Sequence, residues 1–349
     1  MKILVWQWGR FGGGPRMAVE LAAALRAQPG FAVVLSLARG AEICATSPCD
    51  WPVKTYAGRA GFMWRVATLG PMLLGLIWRL RQIRPDIAIC AMPGLLDLVM
   101  AVALRLCGIR FAVVVHDANP HPGDRFPLQF WLHTLLIRQA AMVTVLSRHV
   151  GHQLRVRPPM ITLVHPPFAP RRLPPQDAHG GPYRLLFVGR LLPYKGLDLL
   201  ADGLAWLGPR PDMELRVVGH GPPSAALDRL TALPGVTVEN RWVPEAEFDD
   251  LLGWADAVLL PYREASQSGV AAAALSAGRR VLGTLVGGLT EQLAHDPAAE
   301  LCAPNPVAFA SALRDLLEHR RFVPLPPRPD PEMAWRTAIA RLALALPRL

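Results

Sequence analysis

One alternation, stated twice, constrains this chain more than any other feature: short wholly apolar stretches separated by longer stretches of helical periodicity. In the first run the apolar stretches are "KILVW" (2–6), "FAVVLS" (31–36), "DIAICA" (86–91), "FAVVVH" (111–116), "MVTVL" (142–146) and "ITLVH" (161–165). In the second they are "YRLLFVG" (183–189), "ELRVVG" (214–219), "VTVEN" (236–240), "DAVLLP" (256–261), "RVLGT" (280–284) and "AELCA" (299–303). Strands that are apolar throughout must be covered on both faces, which is the situation of a parallel sheet with helical crossovers. Between the runs lies "PPFAPRRLPPQDAHGGP" (166–182), whose Pro and Gly content reads as a linker. The 349 residues also exceed the ~250–300 at which single cores stop growing. The expectation is two doubly wound α/β domains, 1–172 and 173–332. A last helix near 333–346 crosses back, so that 333–349 joins the first domain.

Charge is unevenly shared. Residues 1–172 carry 20 Lys and Arg against 7 Asp and Glu, net +13, whereas 173–349 carry 17 against 20, net −3. A basic half suits an anionic membrane surface, a nucleic acid or a phosphorylated substrate, or simply reflects an Arg-rich composition. No zinc spacing and no aromatic-basic ribonucleoprotein signature is present, so no nucleic-acid partner is expected. The five cysteines form no CxxC pair and read as reduced thiols of a cytoplasmic protein. The apolar run of "MKILVW" ends at Gln7, short of the ~7–15 residues of a secretory core. Segment 59–84 holds an uncharged run from Val66 to Trp78, interrupted by Pro71, with Trp64 and Trp78 near its ends and Arg59, Arg65, Arg79, Arg81 and Arg84 around it. Its 13 residues span ~20 Å as a helix, too little for a ~30 Å hydrocarbon core. Two readings stay open: a helix lying in the interface of an anionic leaflet, or one packed on the sheet.

In open α/β sheets ligands bind beyond the carboxyl ends of the strands, so the turns there carry the chemistry. After the strand at 183–189 comes "RLLPYKG". Arg190 stands at the strand edge, and Lys195 stands at the mouth of a helix, in a chain with only three lysines. A planar bidentate guanidinium beside a flexible point charge suits a diphosphate, and both cations are expected to face a cleft between the domains. After the first strand, Gly12, Gly13 and Gly14 precede a helix opened by Pro15, where backbone N–H groups favour phosphate. This is not a dinucleotide fingerprint: Met17 holds the third glycine position, and no acidic residue follows ~20 residues on. His116 and Asp117 stand at another strand end. In "HDANPHPGD" (116–124), His116, Asp117, His121 and Asp124 lack the spacing of a helix-borne metal site. Ser266, Gln267, Ser268 and Gly269 lie between a strand and a helix starting near Val270, where amides and hydroxyls can hold a phosphate. A hydrolase elbow is excluded, because Ser266 and Val270 occupy both glycine positions around Ser268.

Taken together, Gly-Arg-x4-Lys-Gly at 189–196, "GGGP" (12–15), "VVVHD" (113–117), "VVGHGP" (217–222) and "ADAVLLPYREASQSGVAAAALSAGRRVLGTLVGGLTE" (255–291) resemble family 4 glycosyltransferases, in the subset reading Ser-Gln-Ser-Gly and typical of bacterial polysaccharide assembly. The resemblance implies a GT-B fold, two Rossmann-like domains with an interdomain cleft, the first binding acceptor and the second binding donor. It implies a retaining transfer of a hexose from a UDP- or GDP-linked sugar to a saccharide acceptor, soluble or lipid-linked, at the inner face of the cytoplasmic membrane where 59–84 engages it. No cofactor or metal is implied. His116, Arg190, Lys195 and Glu264 would be catalytic. Gly13, Gly14, Gly219, Gly221, Ser266, Gln267, Ser268, Gly269 and Val270 would join Arg190 and Lys195 in holding the donor. Asp117 and His121 would lie on the acceptor side. One departure stands out: the family's second glutamate, a ribose ligand, falls on Ala272 or Ala273. It keeps open a non-catalytic member that binds sugar nucleotides or a partner, and a sugar-nucleotide epimerase of the same fold.

Overall fold

The computed structural model describes residues 1–121, 127–156, 158–163, 165–168, 170, 180–319, 323–328 and 330–349. Asp124 and most of the linker expected at 166–182 lie outside them. The chain divides into two units. The first comprises Met1–Pro120, Arg125–Val164 and Glu332–Leu349, and the second His121–Asp124 and His165–Pro331.

The first unit runs β1 (Lys2–Gln7), α1 (Gly13–Arg26), β2 (Ala32–Ala38), β3 (Trp51–Val53), α2 (Gly58–Ala67), α3 (Leu69–Ile83), β4 (Ile87–Cys90), α4 (Asp97–Leu106), β5 (Arg110–Val115), α5 (Pro127–Gln139), β6 (Met142–Val145), α6 (Arg148–Gln153) and β7 (Met160–Thr162). Its seven strands are all parallel, in the order β3-β2-β1-β4-β5-β6-β7. β4 and β6, and β1 and β5 beyond their first residues, are buried on both faces as their composition requires, whereas β2 is buried only over its second half and β7 is exposed to half-buried. Trp6, Cys90, Val113 and Val143 pack with Leu76 and Leu80 of α3 and Met100 and Leu104 of α4. Each Val, Leu or Met side chain among them contributes about 1.5–3 kcal/mol on burial.

The second unit runs β8 (Tyr183–Arg190), α7 (Leu197–Leu207), β9 (Met213–His220), α8 (Ala225–Thr231), β10 (Val236–Asn240), α9 (Glu245–Trp254), β11 (Ala257–Leu260), α10 (Gly269–Ser276), β12 (Arg280–Thr284), α11 (Gly287–Leu293), β13 (Ala299–Cys302) and α12 (Pro306–Glu318). Six parallel strands are ordered β10-β9-β8-β11-β12-β13. The closing helix α13 (Pro331–Ala345) falls, from Glu332 on, in the first unit.

Strand order reverses direction between β1 and β4 in the first unit and between β8 and β11 in the second. Crossovers leave to opposite sides at these switch points, opening a crevice at the carboxyl edge where ligands bind.

Segment 59–84 departs from expectation. It forms two helices bent by 75°, and the break falls at Thr68 rather than at Pro71. Pro71 is the third residue of α3, where a missing N–H disrupts no helical bond. Met72, Leu76, Leu80 and Ile83 form the buried face of α3, while Leu74 is 69% and Trp78 64% exposed. On α2, Met63, Trp64 and Val66 are exposed too. Arg65, expected among the flanking cations, is instead buried, with Nε donating to the Thr55 carbonyl at 3.0 Å. Among the described residues no single helix is long and apolar enough to cross a membrane, and α2 with α3 pass that test only as a bent pair.

Candidate active site

The switch point of the second unit gathers most of the singled-out residues. Arg190 is the last residue of β8. A short turn, Pro193–Lys195, then leads through Gly196 into α7. Gly196 has φ of 69°, and a Cβ there would stand 1.8 Å from the Pro261 carbonyl oxygen. Only glycine lets the lysine turn lie directly on the end of β11. The Arg190 Nη2 donates to the Tyr194 hydroxyl, and the guanidinium lies 5.4 Å from the Tyr194 ring centroid. The Lys195 ammonium stands 3.7 Å from the centroid of the Tyr262 ring and 5.0 Å from that of Tyr194. Both cations are therefore held against aromatic faces, which attract positive charge through the ring quadrupole.

Beyond β11, Ser268 is the N-cap of α10, its Oγ accepting from the Ala271 N–H at 3.1 Å. The Gln292 amide grips the same residue from α11. Its Oε1 accepts from the Ser268 N–H, and its Nε2 donates to the Ser268 carbonyl, both at 2.9 Å. The Ser268 hydroxyl and N–H thus build the turn, and Gly269 and Val270 supply the next amides at the amino end of α10, where partial positive charge gathers. A Cβ on Gly189 would meet the Val270 side chain at 3.8 Å, so this turn closes on the arginine strand. Ser266 is buried and Gln267 half-buried beside it. Gly219 pairs with Gly189 in register between β8 and β9, and the Gly221 N–H donates to Asn240 Oδ1 at 3.1 Å. Both glycines thus take part in strand pairing and turn construction. Ala272 and Ala273 are buried on α10.

Glu264 is half-exposed, and its Oε1 lies 3.4 Å from His121 Nδ1. The His121 ring stacks on Tyr194, centroids 4.5 Å apart and planes within 10°. His121, expected on the acceptor side, thus packs with the second unit.

The first unit's switch point is different in kind. Gln7 ends β1 and reaches back under the glycine loop. Its Oε1 accepts from the Gly9 N–H at 2.9 Å, and its amide lies against Gly14. Gly13 opens α1 with nothing beside it. His116 follows β5, is 5% exposed, and its Nε2 lies 3.1 Å from the Ala91 carbonyl oxygen. A carbonyl only accepts, so Nε2 carries a proton, and in the neutral ring Nδ1 does not. Burial lowers the His116 pKa, against the opposing pull of Asp117 and the Ala91 carbonyl, which favours that neutral form. Asp117 is half-buried. Beneath lies Asp97, the first residue of α4, fully buried and undetected by sequence patterns. It accepts from the Gly94 N–H at 2.6 Å and the Trp6 indole at 3.2 Å, and burial raises its carboxyl to about 6. Beside the glycine loop a cavity of about 170 Å³ is lined by Trp8, Arg10, Phe11 and Tyr56. Among the described residues no three His, Cys, Asp or Glu side chains come together as a metal cradle requires.

Two parallel Rossmann-like units, each with a switch point at the carboxyl edge of its sheet, define a GT-B protein. A model described as Glycosyltransferase Family 4 matches residues 11–188, and one described as Glycosyl transferases group 1 matches residues 182–319. With half its length matched by the first, the chain belongs to glycosyltransferase family 4. It is 37% identical over 142 residues to a D-inositol 3-phosphate glycosyltransferase of Jonesia denitrificans, a stretch covering 37% of this chain and 34% of that one. It is 26% identical over 250 residues to a GDP-mannose:glycolipid 4-beta-D-mannosyltransferase of Xanthomonas campestris pv. campestris, covering 66% of each. The chain thus spans about a third of the Jonesia protein's length and two thirds of the Xanthomonas protein's. Anabaena Alr3699/HepE, crystallised with UDP and glucose, matches over 100% of both chains with a TM-score of 0.71 at 17% identity, a likeness of fold.

Proposed function

We propose that this chain is a retaining hexosyltransferase. It moves a sugar from a UDP- or GDP-linked donor to a hydroxyl of a lipid-linked saccharide during assembly of surface or exported polysaccharide. The observation that carries this reading is the pairing of Arg190 and Lys195 at the β8–β11 switch point, beside the amino end of α10. Breaking a glycosyl–phosphate bond builds negative charge on the diphosphate and positive charge on the sugar. Two oriented cations and the amides of Gly269 and Val270 stabilise the first of these, and such preorganised electrostatics lower the barrier. Glu264 pairs with His121. A front-face route, in which the departing phosphate takes the acceptor's proton, asks the protein for no nucleophile and no metal. The naming of one relative for GDP-mannose and a glycolipid, and the UDP and glucose bound by HepE, support a nucleotide-sugar donor.

The acceptor reading rests on α2 and α3. Exposed Met63, Trp64, Val66, Leu74 and Trp78 lie among Arg59, Arg79, Arg81 and Arg84, a composition suited to the interface of an anionic leaflet. This would place the enzyme peripherally on the inner membrane face. A second reading, a sugar-nucleotide binder without turnover, draws on Ala272 and Ala273 in place of the family's ribose-binding glutamate.

A thermal-shift panel of UDP-, GDP- and ADP-sugars, followed by nucleotide-release assays, tests both. Stabilisation by one donor with nucleotide release supports the transferase. Stabilisation without release supports the binder, and no stabilisation by any of them removes both.

A further inference from the structure

A lysine stem is long and freely rotating, so an ammonium that must sit at one place needs something to hold it there. We infer that Tyr262 is the positioning residue for Lys195, its ring face serving as the platform on which the ammonium rests at the switch point. This role rests on Lys195 meeting the donor diphosphate, as the proposed function has it. The 3.7 Å separation of Nζ from the ring centroid is well inside the ~6 Å reach of a cation–π contact, and shorter than the 5.0 Å to Tyr194.

The platform is itself immobile. Tyr262 is 1% exposed. Its hydroxyl stands 3.4 Å from Ser268 Oγ, and its carbonyl accepts from the Thr284 hydroxyl. Its chain neighbour Arg263 donates its N–H to the Tyr194 carbonyl at 2.9 Å, and the preceding carbonyl, of Pro261, is the one against which Gly196 packs. Burial pushes the phenol up to about 12, so the ring stays neutral at physiological pH and attracts the ammonium through its face rather than as a phenolate. The hydroxyl that reaches Ser268 also joins the lysine's platform to the cap of α10. One side chain thereby links the two halves of the phosphate site.

Only three lysines occur, Lys2, Lys54 and Lys195. Selective 13C-lysine labelling therefore yields three ε-methylene signals, with the Lys195 signal identified by its loss in Lys195→Arg. The expected result is a ring-current upfield shift of that signal, lost in Tyr262→Leu and kept in Tyr262→Phe. An unshifted Lys195 signal in the unmutated protein overturns the proposal without any change at Tyr262.

Nucleotide release from UDP-glucose and GDP-mannose supplies the functional arm. Tyr262→Leu should lower turnover roughly tenfold, within the range of a cation–π contact, and Tyr262→Phe should stay within about twofold. In a Lys195→Ala background, Tyr262→Leu should add less than about twofold, because a positioning residue acts through the residue it positions. Full activity of Tyr262→Leu, or an equal loss in both backgrounds, overturns the proposal. Unchanged release in Lys195→Ala, or no release by the unmutated protein, counts instead against the transferase reading, while the lysine spectrum still decides the geometry.

Discussion

The two switch points have the same topology and opposite chemistry. At β8–β11 the edge carries cations laid on tyrosine rings and a helix start pinned by Gln292. At β1–β4 it carries a glycine loop over Gln7, a neutral buried His116 nearby and a buried carboxyl, Asp97. Bulk charge does not predict this difference: the half with net +13 brings a neutral histidine and a buried carboxyl to its edge beside Arg10 and the buried Arg16, and the half with net −3 brings two cations laid on tyrosine rings. Net charge describes how a surface meets its surroundings, whereas a site is made by the few charges that topology brings to one edge. In the first half, several arginines lie instead on α2 and α3.

The comparison breaks first if the cationic edge is dispensable. Lys195→Ala should lower turnover by ~10²–10³-fold, the scale of removing one oriented donor, with the melting temperature nearly unchanged. Equal turnover in steady-state assays of the folded variant would remove the contrast.

Next in size is the buried carboxyl of the first unit. Asp97 rises from about 3.8 to about 6 on folding, so between those values the folded chain holds more protons than the unfolded one. Stability should therefore fall as pH rises through that window, by about 3 kcal/mol relative to Asp97→Asn, and be regained as pH drops below 4. Urea denaturation of both proteins at pH 4, 5, 6 and 7 measures it, and parallel curves would show that Asp97 is not buried as an acid.

Gln292→Leu removes both bonds to Ser268 while touching neither cation. It should weaken donor affinity about tenfold and leave donor-saturated turnover closer to wild type, given about 1 kcal/mol per hydrogen bond. An equal loss in both parameters would assign Gln292 to folding rather than to the phosphate turn.

The smallest expected effect concerns α3. Trp78→Ser should reduce flotation with anionic liposomes several-fold without changing nucleotide release from soluble donor. Flotation that is equal with neutral and anionic vesicles would sever the basic charge of this half from its proposed role.

Much of this was legible from the residues alone, because the signals were local. Runs such as "FAVVVH" and "DAVLLP" name buried strands by composition, and their ends lie within two residues of β5 and β11. β3 escaped notice because it is three residues long, has Pro52 at its centre and sits at the sheet edge, where a missing N–H is tolerated. Pro71 looked like a break because proline in mid-helix is one, yet in the first turn it is harmless, and only the structure shows where that turn begins. Arg65 reads as a surface cation until its Nε is seen on the Thr55 carbonyl. At the site, Arg190, Lys195 and the Ser-Gln-Ser-Gly turn could be singled out because strand-end turns are recognisable in one dimension. Tyr262, Gln292 and Asp97 could not, since each acts on residues whose proximity depends on strand order or packing.

The amino-acid order alone determined two parallel α/β sheets and the strand-end turns that carry the candidate site residues, because strand and helix periodicities are written in consecutive residues. Tertiary structure alone decided which ring lies under which cation, which amide ties down the Ser-Gln-Ser-Gly turn and which histidine stays neutral. Those outcomes depend on distances between residues remote along the chain, and the pairing of β8 with β11, of β11 with β12 and of β4 with β5 makes such distances short.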